Sequence, residues 1–211
     1  RRGRLPAEFR AGGDTLRDMS LWDKAWNSVF MSVTPRTAGF NTIDYSKATD
    51  SSNLLTMLLM TIGGSPGSTA GGTKTTTFAL IGLLAWSRLG GNDSTDCFCR
   101  SIPESTTSRA VGLFAFAAGI AMIGVFALTI SEETSESNST LIEWMFEAIS
   151  AFNTVGLSLG ITADLSEPGR WITILLMFFG RVGPLTLAAA LTRSRNRLDD
   201  FRYAYEDVVV G

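Results

Sequence analysis

Residues 110–130, AVGLFAFAAGIAMIGVFALTI, run for 21 positions without a charged side chain. A helix of that length rises about 30 Å, the hydrocarbon thickness of a bilayer. Uncharged runs this long are unusual in the cores of water-soluble proteins, so a membrane span is a better reading than a buried soluble helix. Residues 171–192, WITILLMFFGRVGPLTLAAALT, are as long and as apolar apart from Arg181 near the middle, and a second span is predicted there. Between residues 54 and 86 the chain is apolar at both ends, LLTMLLMTI and FALIGLLAW, but rich in Gly, Ser and Thr in the middle. That pattern predicts a third crossing, broken halfway.

Composition narrows the chemistry. The 211 residues include no histidine, which removes Ser-His and Cys-His nucleophiles and the commonest transition-metal ligand. A formal charge of −2 offers no excess for nucleic acid. Cys97 and Cys99, as CFC in a polar stretch, cannot complete a tetrahedral zinc site and read as free reduced thiols on a cytosolic face. A membrane-bound hydrolase needs a nucleophile beside a base, and no Asp or Glu stands in a recognisable arrangement with a Ser or Thr. The opening, RRGRLPAEFRAGG, is basic and polar without an apolar run behind it, unlike a secretory signal, and a start at Arg1 suggests a fragment.

Charge orients the spans. Arg193, Arg195 and Arg197 follow the last apolar run, whereas residues 131–140, SEETSESNST, are acidic. The positive-inside rule puts the carboxyl tail in the cytoplasm and the acidic loop outside, with Arg88, Arg100 and Arg109 marking a cytoplasmic linker. The arginines of the first ten residues do not fit, since this topology places them outside.

Two segments repeat. VTPRTAGFNTID (33–44) aligns with SAFNTVGLSLGI (150–161), so that Thr37 matches Thr154 and Gly39 matches Gly156, 117 residues apart (37 to 154). LLMTIGGSPG (58–67) aligns with LLMFFGRVGP (175–184), and Gly63 matches Gly180 at the same offset of 117 (63 to 180). Two separate matches at one offset indicate a duplicated unit. In each copy the T-x-G element follows an apolar helix too short to span, LWDKAWNSVFMSV (21–33) or LIEWMFEAISAF (141–152). A short helix, a T-x-G turn and a return leg make a re-entrant pore hairpin. Irregular backbone at membrane depth is tolerated where it lines water or is buried in protein, and a filter whose carbonyls replace water around a bare cation meets that condition.

With TPRTAGFNT (34–42), GGSPGSTAGGTKTTTF (63–78), FNTVGLSLG (152–160) and FFGRVGPLTL (178–187), the chain resembles the potassium-translocating subunit of the Trk/Ktr/HKT superfamily, the Ktr-type membrane subunit most closely. The resemblance covers nearly the whole chain. It implies an all-α membrane protein of membrane–pore-loop–membrane repeats, as in potassium channels, with a broken helix forming an intramembrane loop. Residues 1–88 correspond to a third unit lacking its first helix: pore helix 21–35, filter 36–41, and broken second helix 53–88 with its loop at 63–74. A cytoplasmic linker, 89–109, leads to a fourth unit, 110–192: first helix 110–130, pore helix 141–152, filter 153–158 and second helix 171–192. The tail is 193–211, and the family's first two units are absent from the sequence.

The resemblance further implies potassium uptake across the cell membrane, with potassium held by the backbone carbonyls of Thr37, Ala38, Gly39, Thr154, Val155 and Gly156. It implies a gating loop comprising Gly63, Gly64, Ser65, Gly67, Ser68, Thr69, Gly71, Gly72 and Lys74. It implies a homodimer in the bilayer and a cytosolic nucleotide-binding regulatory ring, with no covalently bound cofactor; sodium dependence is left open. Each loop glycine opposes helix by about 1 kcal/mol relative to Ala. A static kink is the alternative to a moving gate. A guanidinium at a helix centre costs about 2.5–3.5 kcal/mol, so Arg181 is expected to face the pore and pair with loop carbonyls, unless it makes a purely structural interhelix bond. Lys74 either lines the inner cavity or snorkels to the interface. Asn153 and Arg36 are expected to brace the hairpins, and Phe40 and Leu157 to pack.

Two other readings fit these features less well. A Walker phosphate loop requires Lys directly after its second glycine, but Thr73 intrudes between Gly72 and Lys74, and no strand precedes it. A carrier binding a small solute at broken helices near the midplane shares the glycines but has no need of paired T-x-G hairpins.

Overall fold

The computed structural model describes residues 20–68, 70–91, 96–97, 100–133 and 139–193. The basic opening, Thr69, Cys99, most of the acidic loop and the tail beyond Arg193 lie outside the described residues. Among the described residues six α-helices carry the fold: α1 Leu21–Val33, α2 Asp50–Thr61, α3 Thr75–Leu89, α4 Glu104–Glu133, α5 Leu141–Phe152 and α6 Glu167–Arg193. The linker adds a minimal antiparallel hairpin, β1 Asp96–Cys97 with β2 Arg100–Ser101, which the apolar pattern does not foreshadow.

Helix boundaries follow local chemistry. The hydroxyl of Ser20 caps α1 by accepting the Asp23 N–H, and the helix stops at Val33, short of the expected 35, because Pro35 has no N–H to continue the ladder. Thr49 caps α2 through the Ser52 N–H, so that helix starts at Asp50 and not at 53. In α5 the Glu143 carboxylate accepts the Thr140 N–H at 2.8 Å, a capping box. The longest helix, α4, has 30 residues, and its most apolar window reaches a mean hydropathy of 2.4. Among the described residues it is the one helix long and apolar enough to cross a membrane by itself. It begins six residues before the uncharged run (104 against 110), since the polar ESTTSR stretch extends it without a helix breaker.

The short helix α5 lies at the centre, packed by α2, α4 and α6, with α3 against α4. One apolar cluster joins Ala117, Leu128, Ala151, Phe152 and Leu176; a second joins Tyr45, Met57, Met60, Phe146, Val155 and Leu157. Gly124 lets α4 and α6 approach, because a Cβ there would overlap the Leu176 methyls. Outward faces of α4 and α6 present Met122, Ile123, Phe126, Ile174 and Phe178. An apolar surface of that extent is expected against lipid or further helices. Glu132, read in the sequence as part of an acidic outer loop, is 1% exposed at the end of α4, where it accepts the Ser166 N–H at 3.1 Å and hydroxyl at 2.6 Å. It joins α4 to the start of α6.

Candidate selectivity filter and gate

Each short helix, α1 and α5, ends in a T-x-G turn. Thr37 has φ +68° and Thr154 φ +53°, the two non-glycine residues with positive φ among those described. A β-branched residue avoids this region, so both turns are strained at the same step of the repeat. Gly39 at +75° and Gly156 at +88° repeat the left-handed conformation two residues on. The turn N–H groups are consumed by the preceding helix: Ala38 donates to Thr34 at 3.1 Å, Thr154 to Ala151 at 3.0 Å and Val155 to Ser150 at 2.9 Å. Among the described residues, none of the carbonyls of Thr37, Ala38, Gly39, Thr154, Val155 and Gly156 accepts a hydrogen bond. Unbonded carbonyls in series are costly in a low-dielectric setting unless they serve a ligand or water.

The two turns adjoin. A Cβ on Gly39 would overlap the Val155 carbonyl oxygen, and one on Gly156 would stand 3.7 Å from the Gly39 Cα. The return legs are fastened alike, the Thr34 hydroxyl donating to the Phe40 carbonyl and the Ser150 hydroxyl to the Leu157 carbonyl at 2.6 Å. Side chains around the turns divide differently from expectation. Asn153 braces its hairpin, donating from Nδ2 to the Ile149 carbonyl at 2.9 Å, but Arg36 is exposed and, among the described residues, its guanidinium makes no hydrogen bond. Leu157 packs in the core whereas Phe40 is 72% exposed, because α1 buries none of its residues and leaves the first hairpin at the edge.

Below the second turn lies the interruption between α2 and α3, residues 62–74. Its ends meet: Thr73 donates from Oγ1 to the Thr61 carbonyl, Thr75 donates from its N–H to the Gly64 carbonyl at 3.1 Å, and a Cβ on Gly63 would overlap the Thr73 carbonyl. Gly71 and Gly72 press against Thr154 and Asn153 so closely that a Cβ on either would overlap those side chains. The Thr154 hydroxyl is buried without a hydrogen-bond partner at that contact.

Lys74 folds back on the loop, its ammonium donating to the Ala70 carbonyl at 2.6 Å and the Ser68 carbonyl at 3.3 Å. Of the two alternatives for Lys74, lining the inner cavity is the one the geometry matches, whereas the pairing expected of Arg181 with loop carbonyls is not found among the described residues. Lys74 does not snorkel away, and it takes the loop carbonyls that Arg181 was expected to pair with, because its own backbone ends the loop and its stem is long enough to curl over it. Among the described residues Arg181 donates no hydrogen bond to the loop. It lines the same cavity of about 520 Å³ as Lys74. The loop is instead bonded to α6 through the Gly72 N–H, which donates to the Gly180 carbonyl at 3.0 Å.

Several polar groups here escaped sequence reasoning. Glu147, Tyr45 and Asn53 are all buried, and their signal was slight: polar side chains on faces of short helices or turns otherwise read as apolar. Tyr45 packs on Phe146 with ring centroids 5.8 Å apart and leaves its hydroxyl without a partner.

Residues 9–197 match TrkH, the cation transport protein family. The chain belongs to that family. It is 37% identical over 201 residues to the potassium/sodium uptake protein NtpJ of Enterococcus hirae, covering 94% of this chain and 44% of that protein. It is 38% identical over 197 residues to Ktr system potassium uptake protein B of Bacillus subtilis, covering 93% of this chain and 43% of that protein. The TrkH-family chain therefore spans less than half the length of the curated relatives it matches. Its fold is similar to the crystal structure of the potassium transporter TrkH from Vibrio parahaemolyticus, with a TM-score of 0.68 at 23% identity over 85% of this chain and 39% of that one. That likeness identifies a helical membrane fold.

Proposed function

We propose that this chain contributes two of four pore hairpins to a potassium-uptake pathway, the carbonyls of Thr37, Ala38, Gly39, Thr154, Val155 and Gly156 replacing water around the dehydrated cation. The observation that carries the reading is the pair of adjoining T-x-G turns, strained alike at Thr37 and Thr154, whose carbonyls are spent on no internal bond. Cation uptake gives those carbonyls a ligand. Potassium as cargo is supported by the names of the relatives, one of which is named for both potassium and sodium uptake, so sodium dependence belongs to the same proposal. A carrier reading leaves the turn carbonyls without a role.

The Gly-rich interruption, Gly63, Gly64, Ser65, Gly67, Ser68, Gly71, Gly72 and Lys74 with Thr69 between, acts as the gate beneath the filter. Its position against Asn153 and Thr154 supports this. Arg181 adds a positive charge to the cavity under the loop, a barrier to cations rather than a hydrogen-bonded latch. Residues up to 88 form a third unit and 110–192 a fourth. The carboxyl tail is cytoplasmic, the membrane subunit is a homodimer, and a cytosolic nucleotide-binding ring moves the loop; these follow from the family resemblance and charge pattern.

The test is rubidium and sodium flux into proteoliposomes holding the full-length protein, with Gly39→Ser in parallel. Rubidium-selective flux that Gly39→Ser abolishes or opens to sodium supports the filter. Solute binding without ion flux, or unchanged discrimination in the variant, overturns it.

A further inference from the structure

We infer that Glu147 is a positioning residue for ion discrimination, holding the second filter hairpin and imposing a negative potential behind it; this rests on the filter reading above. Glu147 lies on α5 and is 5% exposed. Both of its oxygens are used: Oε1 accepts the Thr162 hydroxyl at 2.6 Å and Oε2 the Ser158 hydroxyl at 2.8 Å. Thr162 and Ser158 also meet each other at 2.8 Å, and the Gly160 N–H donates to Ser158 Oγ at 3.0 Å. The return leg thus wraps the carboxylate, with Gly160 at φ +103° making the bend.

Ser150, one turn further along α5, holds the Leu157 carbonyl at 2.6 Å. Residues three apart share a helix face, so Ser150 and Glu147 grip the two residues that directly follow Gly156. The first hairpin repeats only half of this arrangement. Thr34 holds the Phe40 carbonyl, but the residue 117 positions before Glu147 is Phe30, and among the described residues no carboxylate grips Asn41.

A neutral amide would serve a purely mechanical brace, and burying a carboxylate away from water is unfavourable unless the charge is used or paired. Among the described residues no cation is paired with Glu147. Its charge is therefore available to favour a dehydrated cation in the neighbouring turn, and its two hydroxyl bonds fix the spacing of the turn's carbonyls.

The experiment uses the full-length protein in proteoliposomes and reads the rubidium-to-sodium flux ratio for wild type, Glu147→Gln, Thr162→Val and the double variant, with melting temperature measured alongside. Glu147→Gln preserves shape and one acceptor but removes the charge; Thr162→Val preserves shape and charge but removes one donor. The expected result is a fall in the ratio on the order of tenfold for Glu147→Gln, a smaller fall for Thr162→Val, and a double variant no worse than Glu147→Gln, because the groups act as one unit. A Glu147→Gln protein that melts like wild type and keeps the wild-type ratio overturns the inference while leaving the filter intact. Wild type without rubidium selectivity overturns both. Should Glu147→Gln fail to reach the membrane, Thr162→Val decides: a lowered ratio at wild-type melting temperature supports the role, and an unchanged ratio refutes it.

Discussion

The N–H of Gly72 donates to the carbonyl of Gly180 at 3.0 Å, joining the interrupted helix of the first copy to the continuous helix of the second. In an α-helix the Gly180 carbonyl would accept from the residue four positions on, which is Pro184 and has no N–H to give. The proline leaves an acceptor open in α6, and the loop supplies the missing donor.

Replacing Pro184 with Ala restores a helical donor that competes for Gly180. Basal rubidium flux should rise several-fold, since one net hydrogen bond of about 1 kcal/mol shifts an equilibrium by roughly fivefold. The rubidium-to-sodium ratio should not change. Flux at the wild-type level would show that this bond does not hold the gate.

Lys74→Met keeps the apolar stem but removes the ammonium from the carbonyls of Ala70 and Ser68. Hydrogen bonds from a charged donor contribute about 1.5–3 kcal/mol, so the rise in basal flux should exceed that of Pro184→Ala. Reconstituted flux without the regulatory subunit measures the comparison, and a smaller effect than Pro184→Ala would reverse the ranking of the two contacts.

Gly39 and Gly156 have similar positive φ but different surroundings. A Cβ at Gly39 meets the Val155 carbonyl, whereas the nearest atom to a Cβ at Gly156 is 3.7 Å away. Alanine at either position carries the left-handed penalty of about 1 kcal/mol, and at Gly39 a steric overlap as well. Gly39→Ala should therefore lose more rubidium selectivity and more thermal stability than Gly156→Ala, as read from flux ratios and melting curves on matched preparations.

Tyr45 lies in the turn between the first hairpin and α2, outside the spanning helices, and burial pushes its phenol up to about 12. The raised value means that the folded state favours the neutral phenol. Its contribution is fully present below the ordinary value near 10 and is lost as pH rises through about 12. Tyr45→Phe removes the unpartnered hydroxyl while keeping the contact with Phe146, so stability at neutral pH should be unchanged or higher by up to about 1 kcal/mol. Its melting temperature should also fall less than that of wild type between pH 10 and 12.

The span at α4, the duplicated T-x-G turns and the break before Lys74 were legible because each has a sequence period or a composition of its own: an uncharged run, a fixed offset, a cluster of glycines. Side-chain partners were less so. Arg181 and Lys74 are both cations near the loop, and only the folded path of residues 62–74 shows that Lys74 can reach the Ala70 carbonyl. Arg36 and Asn153 hold equivalent places before the two turns, yet among the described residues only the Asn153 side chain bonds a helix carbonyl and is buried by its neighbours. Glu147 was hidden because its hydroxyl partners lie 11 and 15 residues downstream, beyond any local motif.

Gly63 and Gly180 descend from one position of the repeat and now do opposite work. Gly180 lets a continuous helix press against the end of α5, where a Cβ would strike the Phe152 carbonyl; Gly63 begins a stretch that abandons helix altogether. On the gating proposal, one copy serves as the stator and the other carries the moving part. A pore so divided would be closed from one side, without its quarters moving in concert, and its inner barrier would be free to diverge while the paired turns stay alike.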